Sequence, residues 1–182
     1  MDKGRGFGFS GFSTANLRVR LWDDWLRPAE KRAALENRLA QILTPPVLAH
    51  LPPSLQLPEA ENAVQGWVSA RAAESRVFVV VSAADQAIIG LLFLAQLPGT
   101  EATETYHLGY LLAESRWGRG YGTELVKGLV AAKGFAHPAR IVGGVDKNNA
   151  ASARVLLKSG FVRADALSSA ETDQFVYTVP KG

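Results

Sequence analysis

Three glycines, Gly118, Gly120 and Gly122, alternate over five residues between a strand-like run ending at Leu112 and an amphipathic stretch with Leu125, Val126, Leu129 and Val130 on one stripe. That stripe predicts a helix over about Gly122–Lys133. Glycine permits dihedrals closed to other residues and lets a ligand approach the main chain. Successive N–H groups then converge beside the positive end of the helix dipole, an arrangement that suits a diphosphate. Arg116 and Arg119 flank the segment and offer charge-assisted contacts. The segment is not a P-loop, because GxxxxGK[ST] is absent. A literal GxGxxG at Gly6–Gly11 is no dinucleotide fingerprint: no strand precedes it, and a strand rather than a helix follows.

Charge is concentrated around the same segment. The chain has a net charge of +3, but residues 116–163 carry nine Lys/Arg against two Asp/Glu, while both flanks are mildly acidic. A basic stretch inside an acidic background points to an anionic partner for that stretch. There is no cysteine, which excludes disulfide scaffolds, cysteine-ligated zinc and cysteine nucleophiles. Three histidines (His50, His107, His137) without HExxH spacing give no catalytic metal site. The longest apolar runs, Val77–Val81 and Ala87–Ala95, fall short of the roughly 20 residues of a membrane span, and no signal-peptide pattern opens the chain. A cytoplasmic protein is expected, without membrane or nucleic-acid partner. Its 182 residues suit one domain over 14–182, with the Gly- and Phe-rich residues 1–13 as a flexible tail.

Period-two alternation predicts a strand at Leu17–Leu21, and an apolar stripe after Pro28 predicts a helix closed by Pro45-Pro46. Residues 44–58, with five prolines, read as a loop, followed by a helix over about Pro58–Ala73 carrying Ala60, Val64, Trp67, Val68 and Arg71 on one face. Strands follow at Val77–Ser82, Ala87–Gln96 and Thr105–Leu112, with a turn at Leu97–Thr100. After the glycine-bearing helix come a strand at Ile141–Val145, a helix from Asn148/Asn149 to about Ser159, and strands at Phe161–Ala166 and Gln174–Val179. Gly160 stands where a helix-terminating glycine belongs. The order predicts an α/β (α+β) fold: a mixed, mostly antiparallel sheet of about seven strands flanked by about four helices.

The second informative stretch is Gly143–Phe161. Asn149 and Ser152 fall at the N-cap and first turn of its helix, from which both side chains reach the preceding strand end; capping explains Asn149 without any ligand. Together, the "GY-L" strand (Leu108–Leu112), the loop Trp117-Gly118-Arg119-Gly120-Tyr121-Gly122-Thr123-Glu124 and the "N-AS-RV-L-K-GF" helix (Asn149–Phe161) resemble the GCN5-related N-acetyltransferases, the GNAT superfamily. They are most similar to its ribosomal-protein-alanine N-acetyltransferase-like branch. The resemblance covers about residues 14–180. It departs from the general R/Q-x-x-G-x-G/A loop in having Trp117 at the first position.

What the resemblance implies is a GNAT fold and acetyl-CoA as co-substrate, with no metal. Backbone N–H groups of Trp117, Gly118, Arg119, Gly120, Tyr121, Gly122 and Thr123 would hold the diphosphate. Main chain at Leu111 and Leu112 would pair with the pantetheine arm where strands 105–112 and 140–145 splay. Asn149 would bond pantetheine or phosphate, and Lys147 and Arg154 are candidates for the 3′-phosphate. Ser152 would protonate the leaving thiolate. For the base, Glu104 and His107 both remain candidates; three residues apart on a strand, they lie on opposite faces. Tyr110 is expected to pack beneath the cofactor. The acceptor would be a primary amine, a protein N-terminus or a small-molecule amine, attacking directly in a ternary complex; related enzymes are often dimers, and the oligomeric state is left open. The alternative is a catalytically silent acyl-CoA-binding sensor or assembly module.

Overall fold

A computed structural model describes residues 10–97, 103–132, 135 and 139–180. In chain order its elements are β1 (Gly11–Ser13), β2 (Leu17–Leu21), α1 (Asp23–Leu26), α2 (Ala29–Ile42), α3 (Pro45–Leu48), α4 (Ala63–Glu74), β3 (Arg76–Ser82), β4 (Ile88–Leu97), β5 (Glu104–Leu112), α5 (Tyr121–Ala131), β6 (Ala139–Asp146), α6 (Ala150–Lys158), β7 (Val162–Arg163) and β8 (Thr172–Val179). The expected turn at 97–100, the end of the helix near Lys133, and His137 lie outside the described residues. The strands form one sheet in the order β1-β2-β3-β4-β5-β6-β8-β7. Every pairing is antiparallel except β5 with β6.

Side-chain alternation along the strands divides the core in two. Val80, Leu92, Leu108 and Leu112 pack with Leu125, Val126, Leu129 and Leu156 of α5 and α6. Val79, Leu91, Phe93 and Leu111 point the other way, onto Leu35, Leu39, Trp67 and Val68 of α2 and α4. The antiparallel β4–β5 ladder needs a glycine: a Cβ on Gly90 would lie 2.2 Å from the Leu111 carbonyl oxygen.

The sequence predicts the long elements within a few residues. The eighth strand is the correction: Gly11–Ser13 fall in the expected tail, yet they pair with Arg18–Arg20 of β2. The two extra helices, α1 and α3, have four residues each. β7 is confined to two residues of the longer strand expected there.

What holds the first hairpin is Glu124 on α5. Its carboxylate accepts the Thr14 hydroxyl at 2.5 Å, the Asn16 main-chain N–H at 2.7 Å and the Asn16 amide at 3.0 Å. Next to it, a Cβ on Gly128 would lie 2.5 Å from the Phe12 ring, so the missing side chain is what admits β1. Burial pushes the Glu124 pKa up, but the bonds from Thr14 and Asn16 outweigh it, and the net value lies below the ordinary carboxylate pKa. A group with a depressed folded pKa stabilises above its unfolded pKa and loses that contribution as pH falls through the folded value. Glu124→Gln is therefore expected to cost about 1 kcal/mol at neutral pH, after allowance for solvent access. Its melting-temperature deficit against the unsubstituted protein should shrink as both are taken into acid.

Candidate active site

The parallel ladder between β5 and β6 runs from Glu104–Ala139 to Leu108–Gly143 and stops. Beyond it β5 remains paired with β4 as far as Leu112, and β6 with β8 as far as Asp146. The two strands thus diverge with their facing edges unpaired. Which residues face the gap follows from Ala113, whose N–H donates to the Ile89 carbonyl at 2.8 Å and so points to the β4 side. Alternation then turns the main chain of Tyr110 and Leu112 into the gap and that of Leu111 toward β4. The expectation that Leu111 offers main chain to a ligand is accordingly replaced by Tyr110; Leu111 contributes its buried side chain. One of the gap-facing groups is already used, because the Trp117 indole N–H donates to the Leu112 carbonyl at 2.8 Å. That bond fastens the start of the glycine loop to the end of β5.

The glycines have separate duties. Gly118 and Gly120 adopt φ of +70° and +81°, conformations that side-chain-bearing residues rarely take. Gly120 is also the N-cap of α5, and it caps with no side chain. The N–H groups of Tyr121, Gly122 and Thr123 therefore open the helix without intrahelical partners. Gly122 is needed for packing, since a Cβ there would stand 3.3 Å from Val155 of α6.

Arg116 lines the same space and is held by Asp85 in the β3–β4 turn, nitrogen to oxygen 2.5 Å. The Arg116 guanidinium, with help from Ser82 and the Ala87 N–H, keeps the Asp85 carboxyl far below the usual carboxylate range. Arg154 and Lys158, one turn apart on α6, add two further cations to the lining. Arg119 and Lys147 do not line the cavity, although the sequence puts them beside it.

Gap, cradle and α6 open into one cavity of about 650 Å³. At its centre Tyr110 Oη and Ser152 Oγ are 2.7 Å apart. Burial pushes the Tyr110 phenol up, with the Ser152 bond acting in the opposite sense. Asn149 caps α6 by accepting the Ser152 N–H at 3.0 Å, so the capping reading of Asn149 holds, and the residue also lines the cavity. Tyr110 is the site residue that sequence reasoning underrated; its signal was the side-chain parity of β5, which places it on the α6 side.

The two candidate bases separate. His107 opens onto the cavity and is exposed there, and desolvation against the cleft wall pushes its imidazole below the ordinary histidine pKa. Glu104 does not line the cavity; its carboxylate accepts the Tyr106 hydroxyl on the opposite face of β5. His50, which the sequence leaves without a role, also lines the cavity, as do Arg71 and Glu74 at the end of α4.

The residues fit a coenzyme A thioester. Unpaired main chain faces the gap, the free N–H groups that open α5 suit an anion, and Arg116, Arg154 and Lys158 lie along the lining. A mixed sheet divided in this way, with a hydroxyl pair inside the division, is the architecture of an acyl-CoA-dependent acyltransferase. The chain belongs to the GNAT acetyltransferases: the family model described as an acetyltransferase (GNAT) domain matches residues 25–162. No curated protein matches the sequence. Solved structures share the fold at low identity. The GNAT-family acetyltransferase from Bacillus anthracis superposes with TM-score 0.64 at 18% identity, covering 93% of this chain and 97% of its own. RimJ from Mycobacterium smegmatis, solved with CoA-disulfide, gives 0.62 at 22%, covering 89% and 81%. The Salmonella typhimurium acetyltransferase that modifies the N-terminal serine of ribosomal protein L7/L12 gives 0.60 at 19%, covering 92% and 97%.

Replacing Gly120 by valine forces a side chain into left-handed backbone and misdirects the first N–H groups of α5. Titration calorimetry is expected to show coenzyme A binding at least about tenfold weaker in Gly120→Val, the loss of one charge-assisted bond.

Proposed function

We propose that the protein moves the acetyl group of acetyl-CoA to a primary amine by direct attack within a ternary complex. The observation that carries this reading is the meeting, in one cavity, of the gap-facing main chain, the Tyr110–Ser152 hydroxyl pair and His107. An amine attacks a thioester only when unprotonated, so its ammonium proton must leave first, directly or through water. His107 takes that proton, since a lowered pKa keeps its imidazole neutral and able to accept. The amine nitrogen bonds to the acetyl carbon as the carbon–sulfur bond breaks. Charge that builds on the carbonyl oxygen meets a main-chain N–H of Tyr110 or Leu112. The departing thiolate receives a proton from Ser152, and the proton that the nitrogen sheds as the amide forms restores the Ser152 hydroxyl through Tyr110, its hydrogen-bond partner, or through water.

The diphosphate rests on the opening N–H groups of α5, and Arg116, Arg154 and Lys158 supply the countercharge. Asn149 Nδ2 donates toward the pantetheine. Glu104 has no part in this scheme.

A panel of primary amines with acetyl-CoA, followed by release of free thiol, tests the reading. Transfer to at least one amine is expected. Ser152→Ala should lower kcat about 100-fold, and Tyr110→Phe about tenfold, with coenzyme A affinity unchanged in both. In the unsubstituted protein kcat/KM should fall on acidification with an apparent pKa below the ordinary histidine value, and His107→Asn should abolish that limb. Coenzyme A binding without transfer to any amine would instead identify a silent acyl-CoA-binding module.

A further inference from the structure

Charge divides the cavity into two unequal halves. Among the described residues, two carboxylates line it, Glu74 and Asp146. Asp146 lies at the α6 end, among the cations, and is engaged locally: its carboxylate accepts the Asn148 N–H at 2.7 Å. Glu74 ends α4 two residues before Arg76, which pairs with Leu94 of β4, itself paired with Leu108 of β5, so Glu74 opens onto the cavity at the level of His107. It is held in place by Arg71, whose Nη2 stands 2.9 Å from Glu74 Oε2.

Arg71 is itself immobile. Its side chain is 7% exposed, it donates to the Ser54 carbonyl, and its guanidinium carbon sits 5.7 Å from the centre of the Trp67 ring. Trp67 in turn donates to the Leu55 carbonyl at 3.0 Å. A rigid cation thus pins one oxygen of a carboxylate whose side chain is 58% exposed, and the second oxygen stays open. Val47, Leu51, Leu55 and Phe93 make the adjoining walls apolar.

We propose that Glu74, braced by Arg71, is the residue that selects the acceptor, and that the acceptor is a primary amine bearing one ammonium on an apolar stem. This rests on the acetyl-transfer reading above. The open oxygen of Glu74 accepts a hydrogen bond from the incoming ammonium and orients it for deprotonation by His107. A polyamine is disfavoured, because its further ammonium groups would meet Arg71 with no second carboxylate at that end. The stem lies along the apolar walls. Two sources supply such chemistry, a small arylalkylamine and a peptide whose first residue is apolar.

The test measures steady-state kinetics of the unsubstituted protein and Glu74→Gln with acetyl-CoA and three acceptors: phenethylamine, a tetrapeptide beginning with leucine, and spermidine. The unsubstituted protein should prefer the first or second to spermidine, and the faster of the two names the source. Glu74→Gln should raise KM for that acceptor about tenfold, with kcat and the KM for acetyl-CoA within about twofold, as expected for loss of one charged contact. Glu74→Asp should recover part of the affinity. A purely structural role for the ion pair would lower the melting temperature and leave the acceptor KM unchanged. That outcome overturns the proposal while acetyl transfer stands, and so does a preference for spermidine. Absence of thiol release with every amine overturns the acetyl-transfer reading, and this proposal falls with it.

Discussion

The parallel pairing of β5 with β6 ends after Leu108 and Gly143, and the chemistry of this protein depends on that ending. Main-chain N–H and C=O groups inside a protein require partners. A sheet that stops pairing in its middle therefore leaves a row of unmet groups, and such a row is a template for a ligand that can act as a strand. On β5 the row is short, the main chain of Tyr110 and the Leu112 N–H, since the Leu112 carbonyl is taken by Trp117, and each strand remains fixed to its outer neighbour to the last residue. The opening is rigid on both sides, which spares a ligand the cost of ordering it.

Several contacts keep the cradle at the mouth of this opening in position. Trp117 ties the loop to Leu112, Arg116 ties it to the β3–β4 turn through Asp85, and Gly122 lets α5 close on Val155 of α6. Glu124 then anchors α5 to the first hairpin. The segment from Trp117 to Glu124 accordingly has a structural duty beside the anion binding proposed for it: its last residue secures the helix whose first N–H groups are left open. The bonds that engage these two carboxylates also hold their pKa values below the ordinary range.

Much of this was legible in the sequence, for identifiable reasons. Alternating glycines between a strand and an amphipathic stripe specify a turn with positive φ at a helix start, and the structure has it at Gly118 and Gly120. The cap at Asn149 and the terminating Gly160, with φ of +89°, follow from equally local rules. What was not legible depends on tertiary pairing. β1 has three residues and no period of its own, and it exists because β2 and the bare backbone at Gly128 accept it. The parity that puts Tyr110 rather than Leu111 at the gap depends on which ladder ends first, and no local pattern encodes that. Arg71 did leave a trace, a cation in an apolar helical stripe, but its partners Ser54 and Glu74 lie in the proline loop and at the helix end.

Amide-resolved hydrogen exchange with and without acetyl-CoA tests the central claim most directly. The Tyr110, Leu112, Tyr121, Gly122 and Thr123 amides are expected to gain protection when the thioester binds, while Leu111, already turned to β4, does not change. Protection that appears at Leu111 and spares Tyr110 and Leu112, or that leaves the start of α5 unaltered, would contradict it.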